Sequence, residues 1–372
     1  MKKHITIKFA LLVLSTQITL LVYAQHEVAI VQQQQRVSLK NHKVRLNFNL
    51  QTGIFFLANS NGEKIIDDAY FQAGGLESKD SCEKRIWTEE NINDSIGKGK
   101  SLTIKIAFKN YADILWQVRL YDNKPFFIFN MGIDNDVPKV YQLMSFDPLI
   151  SRDVYKGKDN SINYRVLDGN AGGDPTRVTD TSLLNTFNNV LVKFGEPNQP
   201  NILVAGGVTY NEFEKFVSVV RTREAIQLQL HSEDPVGRRI DAGQQYWLNE
   251  KFYLCFDNEN PFQALEQYAD ILKTEQRITL NYYDFPTECL WYANVYIHDK
   301  NRRKFNDSKG AVEEMDSAVK SGITKYTKVA IRLVPDAYGP NNQQGWWDDE
   351  HWAKWGDKGS ADNSNYIAPY LT

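Results

Sequence analysis

The residues of this 372-residue chain best suited to chemistry gather in its last hundred positions. Trp291 lies in the apolar run 288–296, and Asp336 follows a second run, 328–334. Trp346 and Trp347 sit in a loop of Gly, Asn and Gln that closes on Asp348 and Asp349. An indole ring packs its flat face on the C–H face of a pyranose, while carboxylates and amides take the hydroxyls in paired hydrogen bonds. Trp291, Asp336, Trp346 and Trp347 are therefore the candidate substrate-binding residues, and a carbohydrate is the ligand they suit. The pattern names no catalytic residue. Asp348, Asp349 and Glu350 open a helical stretch, where the dipole favours acids for structural reasons. His351 beside them makes no defensible metal pattern, and no metal or cofactor is expected.

Those residues need elements to position them. Run 288–296 reads as a strand; Asp307 or Ser308 then offers an N-cap, Val312, Met315 and Val319 form a helical stripe, and Gly322 closes it. Val329, Ile331 and Leu333 alternate in a second strand that ends at Pro335-Asp336. Strand, helix, strand at this spacing predicts two parallel strands with a right-handed crossover, the start of a (β/α) sheet or barrel. In a barrel, working side chains project from the C-terminal strand ends and the loops that follow. That rule selects Trp291, Asp336 and the tryptophan loop.

The preceding two-thirds of the chain has a different period. Val44, Leu46, Phe48 and Leu50 alternate with polar residues, as do Leu102, Ile104, Ile106 and Phe108, and Ile226, Leu228 and Leu230. Thr52-Gly53 and Asn61-Gly62 read as turns. Many short strands with almost no helical period predict an antiparallel sandwich of two packed sheets. Residues 151–189, polar and rich in Gly and Asp, read as a long loop region whose aspartates serve turns rather than calcium. Asn260 is placed to cap a helix beginning at Pro261, with Phe262, Leu265, Tyr268, Ala269 and Leu272 on one face.

The first residues read as an address. Lys2, Lys3 and Lys8 precede a short apolar run, and Val22-Tyr23-Ala24 suits a signal peptidase, so residues 1–24 are expected to be removed on export. The run is broken by Ser15, Thr16, Gln17 and Thr19 and falls short of the ~20 residues of a membrane span. The mature protein is expected to be periplasmic or extracellular, with no integral membrane segment. Cys82, Cys255 and Cys289 are too few and too scattered for a disulfide framework or a zinc site and read as small apolar side chains. Forty-three Lys and Arg against 46 Asp and Glu leave a net charge of −3, with no run of like charge to make a nucleic-acid footprint. A polyanion partner is not expected from such runs.

Residues 289–293, Cys-Leu-Trp-Tyr-Ala, then 329–336, Val-Ala-Ile-Arg-Leu-Val-Pro-Asp, then Gly345-Trp346-Trp347-Asp348 resemble the opening of the catalytic barrel in clan D glycoside hydrolases, particularly the family 36-like α-galactosidases. Asp336-Ala337-Tyr338 departs from the family's paired aspartates followed by Gly-Trp. The resemblance implies a galactose-mutarotase-like β-supersandwich followed by an incomplete (β/α)8 TIM barrel. The expected division is a signal peptide at 1–24, a sandwich at 25–258, a linker helix and connection at 259–284, and the N-terminal portion of a barrel at 285–372. It further implies retaining hydrolysis of an α-galactoside or related α-glycoside by two carboxylates ~5–5.5 Å apart. The family carries these after its fourth and sixth strands, so the acting residues are expected beyond Thr372, and this chain alone is expected to be inactive. The alternative is a non-catalytic glycan-binding sandwich. A sugar epimerase or lyase would need His or Tyr acid/base groups in a sandwich cleft, and His231 is the only histidine between His42 and His298.

Overall fold

The computed structural model describes residues 27–154, 165–168, 176–177, 183–187, 189–194, 201–221, 226–258, 260–279, 286–289 and 308–332. The chain divides into two compact units after Ile278.

In the first unit, β1 (Ala29–Gln33), β2 (Arg36–Lys40), β3 (Val44–Asn49), β4 (Phe55–Asn59) and β5 (Lys64–Ala73) form an antiparallel meander, with the short β6 (Leu76–Glu77) beside β5. The next four strands lie in a second sheet: β7 (Lys84–Asn93), β8 (Lys98–Ala107), β9 (Asp113–Tyr121) and β10 (Phe126–Asn135). The chain then returns through β11 (Tyr141–Val154), β12 (Arg165–Asp168), β13 (Thr176–Arg177), β14 (Leu183–Phe187), β15 (Asn189–Phe194), β16 (Asn201–Gly207), β17 (Glu214–Arg221), β18 (Ile226–Ile240) and β19 (Gln244–Asn258). Among the described residues one sheet has ten strands, in the order β1-β2-β3-β4-β5-β11-β18-β17-β14 with β6 on β5. The other has nine, β13-β12-β15-β16-β19-β10-β9-β8-β7.

The two-residue period places the core. Val44, Leu46 and Phe48 of β3 are buried while Arg45, Asn47 and Asn49 face outward, and Leu228 and Leu230 of β18 are buried between half-buried Gln227, Gln229 and His231. The inward side chains of both sheets make one cluster centred on Trp116, which is fully buried. Its ring lies 4.7 Å from Phe71, 4.8 Å from Phe55, 5.8 Å from Phe129 and 5.9 Å from Phe48. Much of the aromatic content therefore fills the space between the sheets. Cys255 is buried and Cys82 packs partly against the core.

A second apolar cluster lies on the far face of the nine-stranded sheet, beneath α1 (Pro261–Glu275). Asn260 caps this helix as its sequence predicts, its side chain accepting from the backbone N–H of Phe262 and Gln263. The buried face is Ala264, Tyr268 and Ile271, with Leu265 and Leu272 packed against the cluster; the expected stripe holds at Leu265, Tyr268 and Leu272, but Phe262 is 75% exposed and Ala269 faces water. Tyr268 fixes this rotation by donating its hydroxyl to the Gly207 carbonyl at 2.6 Å. The 151–189 region also differs from a continuous loop. Residues 151–154 complete β11, and β12, β13 and β14 lie within it, while 169–175 fall outside the described residues.

The second unit contains β20 (Thr287–Cys289) and β21 (Ala330–Arg332), paired in parallel, with α2 (Ser308–Ser321) between them in sequence. In α2, Met315 and Ala318 are buried and Val319 is exposed, the burial of 308–314 lying outside what is described, and Gly322 follows with a left-handed φ of 82°. One strand–helix–strand step of this kind is common to open parallel sheets and barrels, so the barrel is an expectation that extends past these elements. The expected signal peptide, residues 1–24, lies outside the described residues. Among the described residues, no helix is long and apolar enough to cross a membrane.

Candidate functional site

Trp291, Asp336, Trp346 and Trp347 all lie outside the described residues. The described part of the molecule instead brings together a group that its sequence does not advertise, on the outward face of the ten-stranded sheet. It begins with an irregularity in β11. The register with β18 shifts between Phe146 and Leu149, and the register with β5 shifts between Asp147 and Ile150. This is a β-bulge at Asp147-Pro148, a position that tolerates proline because the ladder is locally interrupted. The bulge keeps Phe146 and Leu149 in the core and turns Asp147 to the other face. The Pro148 carbonyl is satisfied from the core side by Trp116 Nε1 at 2.9 Å.

Asp147 is fully buried yet ringed by donors from two neighbouring strands. Gln72 Nε2 of β5 donates to Oδ2 at 2.5 Å. Gln229 Nε2 of β18 donates to Oδ1 at 2.8 Å, and His231 Nδ1 lies 2.8 Å from the same oxygen. The other ring nitrogen, Nε2, lies 3.1 Å from Oε2 of Glu233, whose side chain is 54% exposed. Phe216, directly across on β17, holds its ring 6.0 Å from the imidazole. Burial disfavours the charged ring, but the hydrogen bond and charge of Asp147, reinforced by Glu233, outweigh it and raise the His231 pKa above its ordinary value. An imidazolium donates from both nitrogens and so satisfies both carboxylates, whereas a neutral ring can satisfy only one.

The same face carries Tyr70 at the β5 end, opposite Ile150, with Lys79 Nζ 3.5 Å and Arg152 Cζ 5.9 Å from its ring centroid. Tyr70 and Phe216 thus bracket the cluster from strands separated by three sheet spacings, roughly 14 Å. Each glutamine gives one N–H to Asp147 and keeps a second N–H and its carbonyl oxygen, alongside the exposed Glu233 carboxylate. Such a strip can take the hydroxyls of a saccharide beside the Phe216 ring; Tyr70 is buried and covered by Lys79. Among the described residues no group of three or more His, Cys, Asp or Glu could hold a metal.

Sequence reasoning passed over this group because its parts are 75 to 84 positions apart. The available signals were the alternation Gln227, Gln229, His231, Glu233 along one strand and the Asp-Pro pair inside an apolar one.

No protein-family model matches the chain, and no curated protein matches its sequence. Solved structures do share its fold. The glycoside hydrolase family 36 α-galactosidase AgaB from Geobacillus stearothermophilus superposes with a TM-score of 0.54 at 9% identity, over 93% of this chain and 55% of its own. The galactosidase domain of the α-galactosidase–sucrose kinase AgaSK gives 0.54 at 9% identity, over 92% and 56%. An α-galactosidase from Lactobacillus brevis gives 0.51 at 8%, over 90% and 53%. The chain therefore spans little more than half the length of these proteins, and its likeness to them is one of fold.

Proposed function

We propose that this chain forms the sandwich and the opening βα unit of an exported glycoside hydrolase that cleaves α-galactosides or related α-glycosides. The observation that carries this reading is architectural. A two-sheet sandwich, a capped helix and then a parallel strand pair occur in that order, and more than nine-tenths of the chain follows the α-galactosidase fold. Within this reading residues 1–24 are the export signal, 25–258 the sandwich, 259–284 the connection and 285–372 the beginning of a (β/α)8 barrel. Trp291, Asp336, Trp346 and Trp347 line its sugar-facing rim, where strand ends and the loops after them gather. The reaction is retaining: one carboxylate attacks the anomeric carbon as another protonates the leaving oxygen, and water then resolves the glycosyl-enzyme. No residue of this chain is given either catalytic role.

The test is turnover by the complete gene product. It should release p-nitrophenol from p-nitrophenyl α-galactopyranoside, with the α-anomer of the sugar appearing first by NMR, and Asp336→Asn should weaken KM or kcat. Absence of turnover on α-galactosides and related α-glycosides overturns the reading. A second reading, glycan binding without hydrolysis, is favoured by the strip around His231. Saturable binding of galactosides with no turnover, lost in Gln229→Ala, would select it.

A further inference from the structure

A second feature of the ten-stranded sheet lies apart from the His231 strip, on the outward face of β2, β3, β4 and β5. A hollow of about 260 Å3 is lined there by Arg36, Asn47, Asn49, Phe56, Lys64 and Asp67. Strand register assembles it: Arg36 lies opposite Asn49, Ser38 opposite Asn47, and Phe56 opposite Asn47 from the other side.

Its hydrogen-bonding inventory is lopsided. Asn47 Oδ1 accepts from Ser38 Oγ at 2.5 Å, but Asn47 Nδ2 is buried with no partner. Asn49 spends its Oδ1 on the backbone N–H groups of Gln51 and Thr52, which leaves its NH2 as donor. Among the described residues Arg36 has no ion pair. Lys64 Nζ lies 4.7 Å from the Phe56 ring centroid and neutralises Asp67, the one acidic group lining the hollow, at 2.9 Å. What remains to be satisfied is donors and positive charge, so a ligand that completes the hollow must be rich in acceptors.

The surrounding sheet points the same way. Lys40 and Arg45 stand directly opposite each other on β2 and β3, neither of them ion-paired among the described residues. Like charges in that position weaken a sheet unless something binds between or across them. In a chain of net charge −3, Arg36, Lys40 and Arg45 form a basic patch that no run of sequence reveals, because Val37, Ser38 and Leu39 separate the first two along β2 and Arg45 lies on the next strand.

We propose that this hollow and the cations beside it bind the acidic groups of a uronate- or sulfate-bearing polysaccharide, at a place separate from the hydrolytic site. The choice of a glycan rests on the carbohydrate reading above. It is also favoured over single-stranded nucleic acid because Phe56 is covered by Lys64 and the other two lining rings, Phe48 and Phe55, are buried in the core, where a base-stacking surface offers successive uncovered rings.

The experiment uses the intact chain and four polymers: polygalacturonate, dextran sulfate, neutral dextran and duplex DNA, each titrated at 50 and 200 mM salt. Polygalacturonate or dextran sulfate should bind at least about tenfold more tightly than dextran or DNA, with affinity falling steeply as salt rises. Whichever of the two binds better identifies the acidic group. Arg36→Ala with Arg45→Ala should cost about tenfold or more. Asn47→Ala should cost a similar factor in protein whose Tm shows it is folded, since it removes the unpartnered Nδ2 donor along with the oxygen that accepts from Ser38. Equal binding of DNA, equal binding of neutral dextran, no binding at 50 mM salt, or full affinity in folded variants would each overturn the proposal. Turnover of a small neutral galactoside reports on the hydrolase separately, so either idea can fail while the other stands.

Discussion

Lys215 and Glu250 form an ion pair in which both side chains are fully buried, yet their surroundings are unequal, and that inequality makes a sharp prediction. Glu250 Oε1 accepts from the backbone N–H of Asn211, Glu212 and Phe213, and Oε2 from Thr209 and Lys215. The carboxylate therefore holds the whole turn between β16 and β17. Lys215 has Glu250 and, beyond it, the rings of Tyr210 at 4.7 Å and Phe252 at 5.7 Å. Burial lowers its pKa, opposed by the charge and hydrogen bond of Glu250. Glu250→Ala strands a buried cation together with three backbone donors and should cost at least ~3–5 kcal/mol, a large part of the ~5–15 kcal/mol typical of a domain. Lys215→Met leaves Glu250 its four other donors and fills the same volume, so its cost should be about 1–2 kcal/mol. The double change Lys215→Met with Glu250→Gln keeps an acceptor for the turn and removes both charges; it should recover most of the loss. Urea unfolding at pH 7, followed by tryptophan fluorescence, gives all three values. A Lys215→Met protein as unstable as Glu250→Ala would refute the claim that the backbone donors, rather than the ion pair, make this site important.

Three other outcomes are expected. Because the folded pKa of His231 is raised above 6.5, its contribution is fully present below that value and is lost as pH rises through the folded pKa. The Tm advantage of the parent over His231→Gln should thus shrink between pH 5.5 and 8.5, and a constant difference would contradict the Asp147–His231–Glu233 geometry. Gly53→Ala should destabilise by more than ~2 kcal/mol in denaturant titration, since φ is 72° and a Cβ would stand 1.8 Å from the Ser78 carbonyl oxygen. Trp116→Phe should cost ~1–3 kcal/mol for the orphaned Pro148 carbonyl plus a cavity contribution; a loss below 1 kcal/mol by the same titration would show that water replaces the indole.

The parts of the fold legible in sequence were those fixed by neighbours in the chain. Alternation in β3, β8 and β18 gave the sandwich faces, and Asn260-Pro261 gave the start of α1, because pleat and cap act over two or three residues. The exposed Phe262 shows where that reasoning stops. Helical periodicity supplies a stripe, but the Tyr268–Gly207 hydrogen bond, across 61 positions, decides which way it faces. The His231 group and the basic hollow were illegible for a related reason. Sheet register brings β5, β11 and β18 side by side, and sets β2 against β3, by pairings between strands that no single strand's composition reveals. Because a strand spends every second residue on the core, charges that gather on a sheet face need not form an uninterrupted run in the sequence.

The bulge in β11 has a consequence for how this protein can change over time. One inserted position serves two masters: Pro148 accepts the indole of Trp116 on the inside, and Asp147 gathers two amides and an imidazole on the outside. Deleting one residue there would return the strand to regular pleating with Phe146 and Leu149 still inward, and would take away the extra step that turns the Pro148 carbonyl toward Trp116. A lineage cannot lose the surface carboxylate in that way without also unpartnering the tryptophan at the centre of the core. The interior and the outward face are inherited together, and drift at the surface group must proceed by substitution rather than by length.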